Sequence, residues 1–297
     1  MKRLPSCGKA LLAVLGICLW LASHLAVAVD LFVADYGFNT VYKFAPSGSR
    51  STFASGLNGP NGLAFDGNGN LFVTDSVSNN IYKFTPSGGR STFASGLSFP
   101  RGLAFDSSGN LFAADVYSGK IYKFTPDGSR TTFASGLSSP ESLAFDASGN
   151  LFEADEGSNS INKFTPGGAR STFASGLTFP VSLAFDGSGN LFEGGWGSSN
   201  IYEFTPGGTR STFASGLNGP AGLAFDGNGN LFESDNGSGN IYKFTPDGSR
   251  TTFASGLNSP SGLAFAPTIP EPSTVSLLGV GAISLFACGL WRRWRKR

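Results

Sequence analysis

The stretch Pro60–Phe99 reads PNGLAFDGNGN, LFVTDSVSNN, IYKFTPSGGR, STFASGLSF, and its four parts decide the fold. Each part holds one short apolar run of four to six residues. The runs are separated by Asp66-Gly-Asn-Gly-Asn70, Ser78-Asn79-Asn80 and Pro86-Ser-Gly-Gly89. Short runs rich in Phe, with no 3.6-residue period and with Gly, Asn, Asp and Pro between them, are strands punctuated by turns. The unit recurs every 40 residues from Val29 to Ala266 without an insertion, its Phe-Ala-Ser-Gly-Leu string starting at Phe53, Phe93, Phe133, Phe173, Phe213 and Phe253. Four Phe slots in six copies take up 24 of the 28 Phe.

Four short strands in a unit of this length have the arithmetic of a β-propeller blade. A linear β-solenoid is the rival, and the ends of the repeat separate the two. The repeat begins at the second strand of a unit, Leu31 to Asp35, and stops after the first strand of another, Gly262 to Ala266. That offset lets the last strand complete the first blade and close a ring, whereas a solenoid gains nothing from it. The expected fold is all-β: a six-bladed β-propeller of four-stranded blades over residues 29–269, its first blade closed by the N- and C-terminal strands.

The flanks read as targeting segments. Residues 1–28 carry Lys2, Arg3 and Lys9, an apolar stretch from Ala10 to Ala22, and Ala26-Val27-Ala28. This is the layout of a cleavable secretory signal, with an uncleaved anchor as the alternative. In residues 270–297, Pro270-Glu271-Pro272 precedes an uncharged run from Ser273 to Trp291 and then Arg292, Arg293, Arg295, Lys296 and Arg297. As a helix that run would span roughly 28 Å, the thickness of a hydrocarbon core. The basic cluster would stop it at the membrane with the preceding domain outside. Tripeptide, span and basic end together resemble the PEP-CTERM sorting signal. The resemblance implies an exosortase as processing partner, with Pro270, Glu271 and Pro272 as the recognition element. It also implies a route from an inner-membrane-anchored precursor to the surface or exopolysaccharide matrix of a bacterium with an outer membrane. A permanent C-terminal anchor is the alternative.

Composition then excludes several chemistries. The single His, His24, and the three Cys, Cys7, Cys18 and Cys288, all lie in the flanks. The repeat region therefore has no Ser-His-Asp or Cys-His machinery, no thiolate or imidazole zinc site and no disulfide framework. Between Val29 and Ile269 there are 13 Lys and Arg against 19 Asp and Glu, so the domain stands at −6 while the whole chain reads +1. An acidic domain without a basic patch is a poor partner for nucleic acid.

The Pro-x-Gly-Leu-Ala-Phe-Asp and Gly-Asn-Leu-Phe-Val-x-Asp strings resemble NHL and SMP-30/gluconolactonase-like propellers. That resemblance implies the fold, and it is shared by lactonases, partner-binding modules and sensor domains, so it does not choose a function.

Differences between copies concentrate on one face. In an antiparallel blade the fourth-to-first and second-to-third connections share a face, and the opposite turns barely vary. The variable face carries Tyr36, Phe99, Arg101, Tyr117, Glu141, Glu156, Phe179 and Trp196, a candidate binding rim in which aromatic faces beside polar edges suit a sugar ring. The Asp ending each second strand (Asp35, Asp75, Asp115, Asp155, Asp235) reads as a cap for the following turn. The Asp66-x-Asn68-x-Asn70 strings lack the distal Glu of a calcium loop.

Two residues before that Asp stand Val33, Val73 and Ala113, then Glu153, Glu193 and Glu233. If Asp75 stands opposite Ile81, Glu153 faces Lys163, Glu233 faces Lys243, and Glu193 faces Glu203. The last pair would need a shared proton or a cation. Glu193 and Glu203 are thus the candidate metal ligands and Ca²⁺ the ion they would take, no other cofactor being called for. No residue is singled out as catalytic. The favoured function is a non-enzymatic binding or scaffold protein of the envelope or matrix, with a polysaccharide or envelope protein as partner. The alternatives are an SMP-30-type metal-dependent lactonase and a structural matrix filler.

Overall fold

The computed structural model describes residues 29–268. The expected leader over 1–28 and the tail over 270–297, with Pro270, Glu271, Pro272, the apolar run and the basic end, lie outside the described residues.

The described residues form twenty-four strands, from β1 (Leu31–Asp35) to β24 (Pro260–Phe265), grouped in six four-stranded antiparallel sheets. Five sheets are built from consecutive strands: residues 60–94, 100–135, 140–175, 180–214 and 220–254. The remaining sheet has β24 hydrogen-bonded to β1, then β2 (Thr40–Phe44) and β3 (Arg50–Ala54). The first blade therefore takes its innermost strand from the far end of the domain, as the repeat offset predicts. The six innermost strands neighbour one another around the ring, each beginning at a Pro: Pro60, Pro100, Pro140, Pro180, Pro220 and Pro260.

Sequence explains each position within a blade. The second strand, Leu-Phe-x-x-Asp, is buried along its whole length because both its faces meet neighbouring blades. The outer strand, Arg-Ser/Thr-Thr-Phe-Ala, exposes its first three residues and turns its Phe inward. A bulge beside it, between Ile81 and Tyr82 and at the same place in every blade, disturbs the ladder next to this free edge. On the invariant face, Asp66 accepts hydrogen bonds from the backbone N–H groups of Asn68 and Asn70 and from the Asn70 side chain, at 2.8–2.9 Å. The same pattern at Asp106, Asp146, Asp186 and Asp226 makes these loops turn devices.

Blades meet through a recurrent aromatic triplet. Phe32 of the second strand sets its ring edge-on against Phe53 of its own outer strand, 4.9 Å between centroids, and against Phe65 on the innermost strand of the next blade, 5.0 Å. Equivalent triplets form at Phe72, Phe112, Phe152, Phe192 and Phe232. The one at Phe232 reaches Phe265 and so joins the two ends of the domain. Phe152→Ala should remove about 3–5 kcal/mol of stability, the cost of truncating a buried aromatic ring, measured by denaturant unfolding. Phe232→Ala should cost the same, since the closing interface has the same geometry as the others.

Candidate functional site

The innermost strands surround a small cavity of about 90 Å³ on the ring axis, to which all six blades contribute. Its walls are mostly Gly, Leu and Ser, and Glu141 is the charged residue among them. The lining strands approach closely: a Cβ at Gly62 would lie 2.1 Å from the carbonyl oxygen of Arg101 on the neighbouring blade. Side chains at the strand starts, one residue after each Pro, therefore decide what stands at the mouth.

At this mouth the structure gathers residues from three blades. Arg101 donates from Nη1 to Oε2 of Glu141 at 2.7 Å, from the third blade to the fourth. Its guanidinium carbon lies 5.0 Å from the ring centre of Phe99 and 4.9 Å from that of Trp196, which belongs to the fifth blade. Phe99 in turn stacks on Tyr117, 4.8 Å between centroids and 12° between planes. Tyr117, Phe99, Arg101 and Trp196 thus form one continuous stack that ends in exposed aromatic surface, Tyr117 being 73 % exposed and Trp196 38 %.

The backbone under this stack is unusual. Phe99 and Phe179 adopt φ of 60° and 52°, at a slot where Gly59 and Gly219 stand in other blades. Left-handed backbone is uncommon for a bulky side chain and is held only where surrounding contacts over-determine it. The contacts here are specific: Phe99 donates its N–H to Oδ1 of Asn79 at 2.8 Å, and Phe179 to Oδ1 of Asn159 at 3.0 Å. The second-strand Asp secures the same loops. Asp155 accepts from the backbone N–H of Ser138, Ser139 and Ser158, so it ties the loop before the first strand to the turn after the second. It is therefore more than a cap for the following turn. In the fifth blade Gly195 takes this place, and the carboxyl of Glu193 fills part of the space: its Oε1 would lie 2.9 Å from a Cβ there.

Of the predicted rim residues, Phe99, Arg101, Tyr117, Glu141 and Trp196 form the mouth cluster. Glu156 lies beside Glu141 and accepts from Oγ of Ser139 at 3.4 Å. Phe179 packs against Gly197 in the turn that carries Trp196, and Tyr36 packs over Gly59 where the first two blades meet. Sequence reading put these residues on one face but could not pair them across the ring. It also passed over Phe38, half exposed on the same face, although Phe38 is one of the four Phe outside the repeat slots. Burial pushes the Glu141 carboxyl up to about 8, with Glu156 adding to the effect and Arg101 opposing it.

The expected pairing of the second-strand Glu residues is corrected by the register. Asp75 stands opposite Asn80, not Ile81, so Glu193 opposes Tyr202, and Glu203 opposes Phe192. A shift of one residue turns the side chain to the other face of the sheet. The Glu193/Glu203 pair therefore does not form, and neither do the Glu153–Lys163 and Glu233–Lys243 pairs, since Glu153 opposes Asn162 and Glu233 opposes Tyr242. Among the described residues no group of three or more His, Cys, Asp or Glu is placed to hold a metal ion.

These three Glu are instead buried between blades. Glu153 accepts from Nδ2 of Asn162 at 2.9 Å, in the one blade that has Asn where the others have Tyr. Both carboxyl oxygens of Glu193 and of Glu233 lack a partner. Burial accordingly pushes Glu153 and Glu193 up to about 8 and Glu233 up to about 9. Neutral acids suit such sites, because an unpaired buried charge is far more costly than a proton.

Residues 30–135 match the family model described as SMP-30/Gluconolactonase/LRE-like region. Among solved structures, a chain of the nidogen/laminin complex aligns with TM-score 0.74 and 22 % identity, covering 81 % of this chain and 99 % of that one. A streptogramin B lyase aligns at 0.66 and 18 %, covering 80 % and 87 %. A gluconolactonase from Xanthomonas campestris aligns at 0.65 and 19 %, covering 80 % and 88 %. No curated protein matches the chain. At these identities the likeness establishes the fold alone, a six-bladed propeller of four-stranded blades.

The raised carboxyls fix a sign for pH dependence. The folded chain holds protons that the unfolded chain has lost above about 4.5, so stability is full below that pH and declines as pH rises through about 8 to 9. The carboxyls held low, Asp106, Asp127 and Asp247, titrate below this window. Denaturant unfolding from pH 5 to 9 should show falling stability. Glu193→Gln or Glu233→Gln should each flatten the fall by up to ~1.4 kcal/mol per unit of pKa elevation.

Proposed function

We propose that this chain is an exported, exosortase-sorted propeller that acts as a non-enzymatic binding protein of the cell envelope or exopolysaccharide matrix. Its ligand is a glycan held at the Tyr117–Phe99–Arg101–Trp196 mouth. The observation that carries the reading is this stack itself: six nearly identical blades differ on one face, and there the differences converge on a single aromatic and cationic cluster. Flat aromatic faces supply the apolar contact a pyranose ring needs, and Arg101, Glu141 and Glu156 supply polar edges. Export rests on the leader-like residues 1–28, and sorting on Pro270-Glu271-Pro272 with its apolar run and basic end.

The experiment is retention on exopolysaccharide purified from a bacterium that carries an exosortase, measured by affinity electrophoresis. Trp196→Ala and Tyr117→Ala should each weaken retention about tenfold, a loss of ~1.4 kcal/mol. Absence of wild-type retention would leave the matrix-filler reading. Replacing Pro270, Glu271 and Pro272 by Ala should hold the chain in the inner-membrane fraction, and unchanged sorting would remove the exosortase assignment.

The lactonase reading draws on the family match and on the gluconolactonase fold likeness. A divalent ion of that kind needs converging oxygen ligands, and the residues present do not fit it. Glu153, Glu193 and Glu233 lie buried in separate blades, while Glu141 is engaged by Arg101. Turnover of a lactone panel with Ca²⁺, Mn²⁺ or Zn²⁺ would restore that reading; none is expected.

A further inference from the structure

We propose that the Arg101 site is built for a carboxylate-bearing sugar, a uronate residue, whose carboxylate takes the place of Glu141 on the guanidinium while Glu141 holds a proton. The inference rests on the glycan-binding reading and names its ligand class.

Arg101 is the starting point. A guanidinium presents five N–H donors in a planar fork that matches a carboxylate. Here one of them, on Nη1, meets Glu141, and Nε is buried without a partner. Such a donor is costly unless a ligand completes it. The guanidinium is held between Phe99 and Trp196, with its side chain 14 % exposed, so it is positioned before any ligand arrives. Trp196 borders the guanidinium and Tyr117 stacks on Phe99, and both keep exposed ring surface. A uronate presents both requirements in one rigid unit, an anion for the fork and a C–H face for the rings. An acidic peptide offers the first without the second.

Glu141 sets the condition for exchange. Arg101 faces it from the third blade, Glu156 from the turn after the second strand of its own blade, and Glu153 from that second strand. Of these carboxyls Glu141 alone contacts the guanidinium, while Glu156 and Glu153 add negative charge around Glu141 and a ligand carboxylate would add more, so the arrangement favours a proton on the buried Glu141. Its carboxyl, pushed up to about 8, is neutral over the range where a uronate is ionised. Above that range the ionised Glu141 competes for Arg101, and binding then takes up one proton.

Titration calorimetry of the full propeller with trigalacturonate and with maltotriose, at pH 6, 7.5 and 9 and constant ionic strength, tests this without any variant. Trigalacturonate should bind at least about tenfold more tightly than maltotriose at pH 6. Its Kd should rise about tenfold per pH unit above about 8. Glu141→Gln should keep the preference and abolish the pH dependence, and Arg101→Lys, which keeps the charge but not the fork, should lose most of the preference. Equal affinity for the two saccharides, or uronate binding that ignores pH in the wild type, overturns the proposal and leaves the glycan reading standing. So does retention on exopolysaccharide with neither saccharide bound. Tighter binding of hexaglutamate than of trigalacturonate overturns it in favour of an acidic peptide. Loss of both saccharide binding and exopolysaccharide retention overturns both readings.

Discussion

Everything in this ring depends on one aromatic contact made six times: the second-strand Phe of a blade set edge-on against the innermost-strand Phe of the next. Each such pair buries two rings and fixes their relative orientation, so it sets both the strength of the joint and the angle between blades. Six equal joints leave no free interface when the sixth returns to the first, as the Phe232–Phe265 contact does. The 40-residue spacing repeats these joints at equal intervals along the chain. One extra residue inside a Phe-bearing strand would turn the side chains beyond it to the other face and break the joint.

The uniform scaffold makes its irregularities informative. Around the mouth, the backbone holds two Phe in left-handed conformation where glycine is the easier occupant, and that choice places aromatic surface beside Arg101. On the second strands of the fourth, fifth and sixth blades, slots that are apolar in the other three are filled by Glu153, Glu193 and Glu233. Of these, Glu153 has gained a hydrogen-bonding partner, Asn162, and the other two are accommodated as neutral acids. The two sets differ in kind. Apart from the buried Glu141, mouth residues are exposed or half-buried, whereas Glu153, Glu193 and Glu233 face the interfaces that hold the ring together.

Sequence reading reached the blade count, the strand positions, the shared first blade and the face on which variation lies, because all of these follow from periods and turn residues. It failed at the Glu slots for a definable reason. The turn after the second strand contains four residues, Ser76 to Asn79, so Asp75 pairs with Asn80. Placing Asp75 opposite Ile81 reverses the facing of every downstream side chain, and two carboxyls that point to opposite sides then look like neighbours. Turn length is a local choice of backbone conformation, and the Ser- and Asn-rich string allows more than one.

What the sequence determined by itself is the periodic part: four strands per 40 residues, Phe at fixed slots, and a circular offset that closes six blades. Each of these is a relation between residues close in the chain or repeated along it, which hydrophobic pattern and turn chemistry are enough to specify. What only the tertiary structure decided is the convergence of Phe99 and Arg101, Glu141, and Trp196 at one point. They come from three different blades, and no spacing in the chain encodes a contact that exists only after the ring has closed.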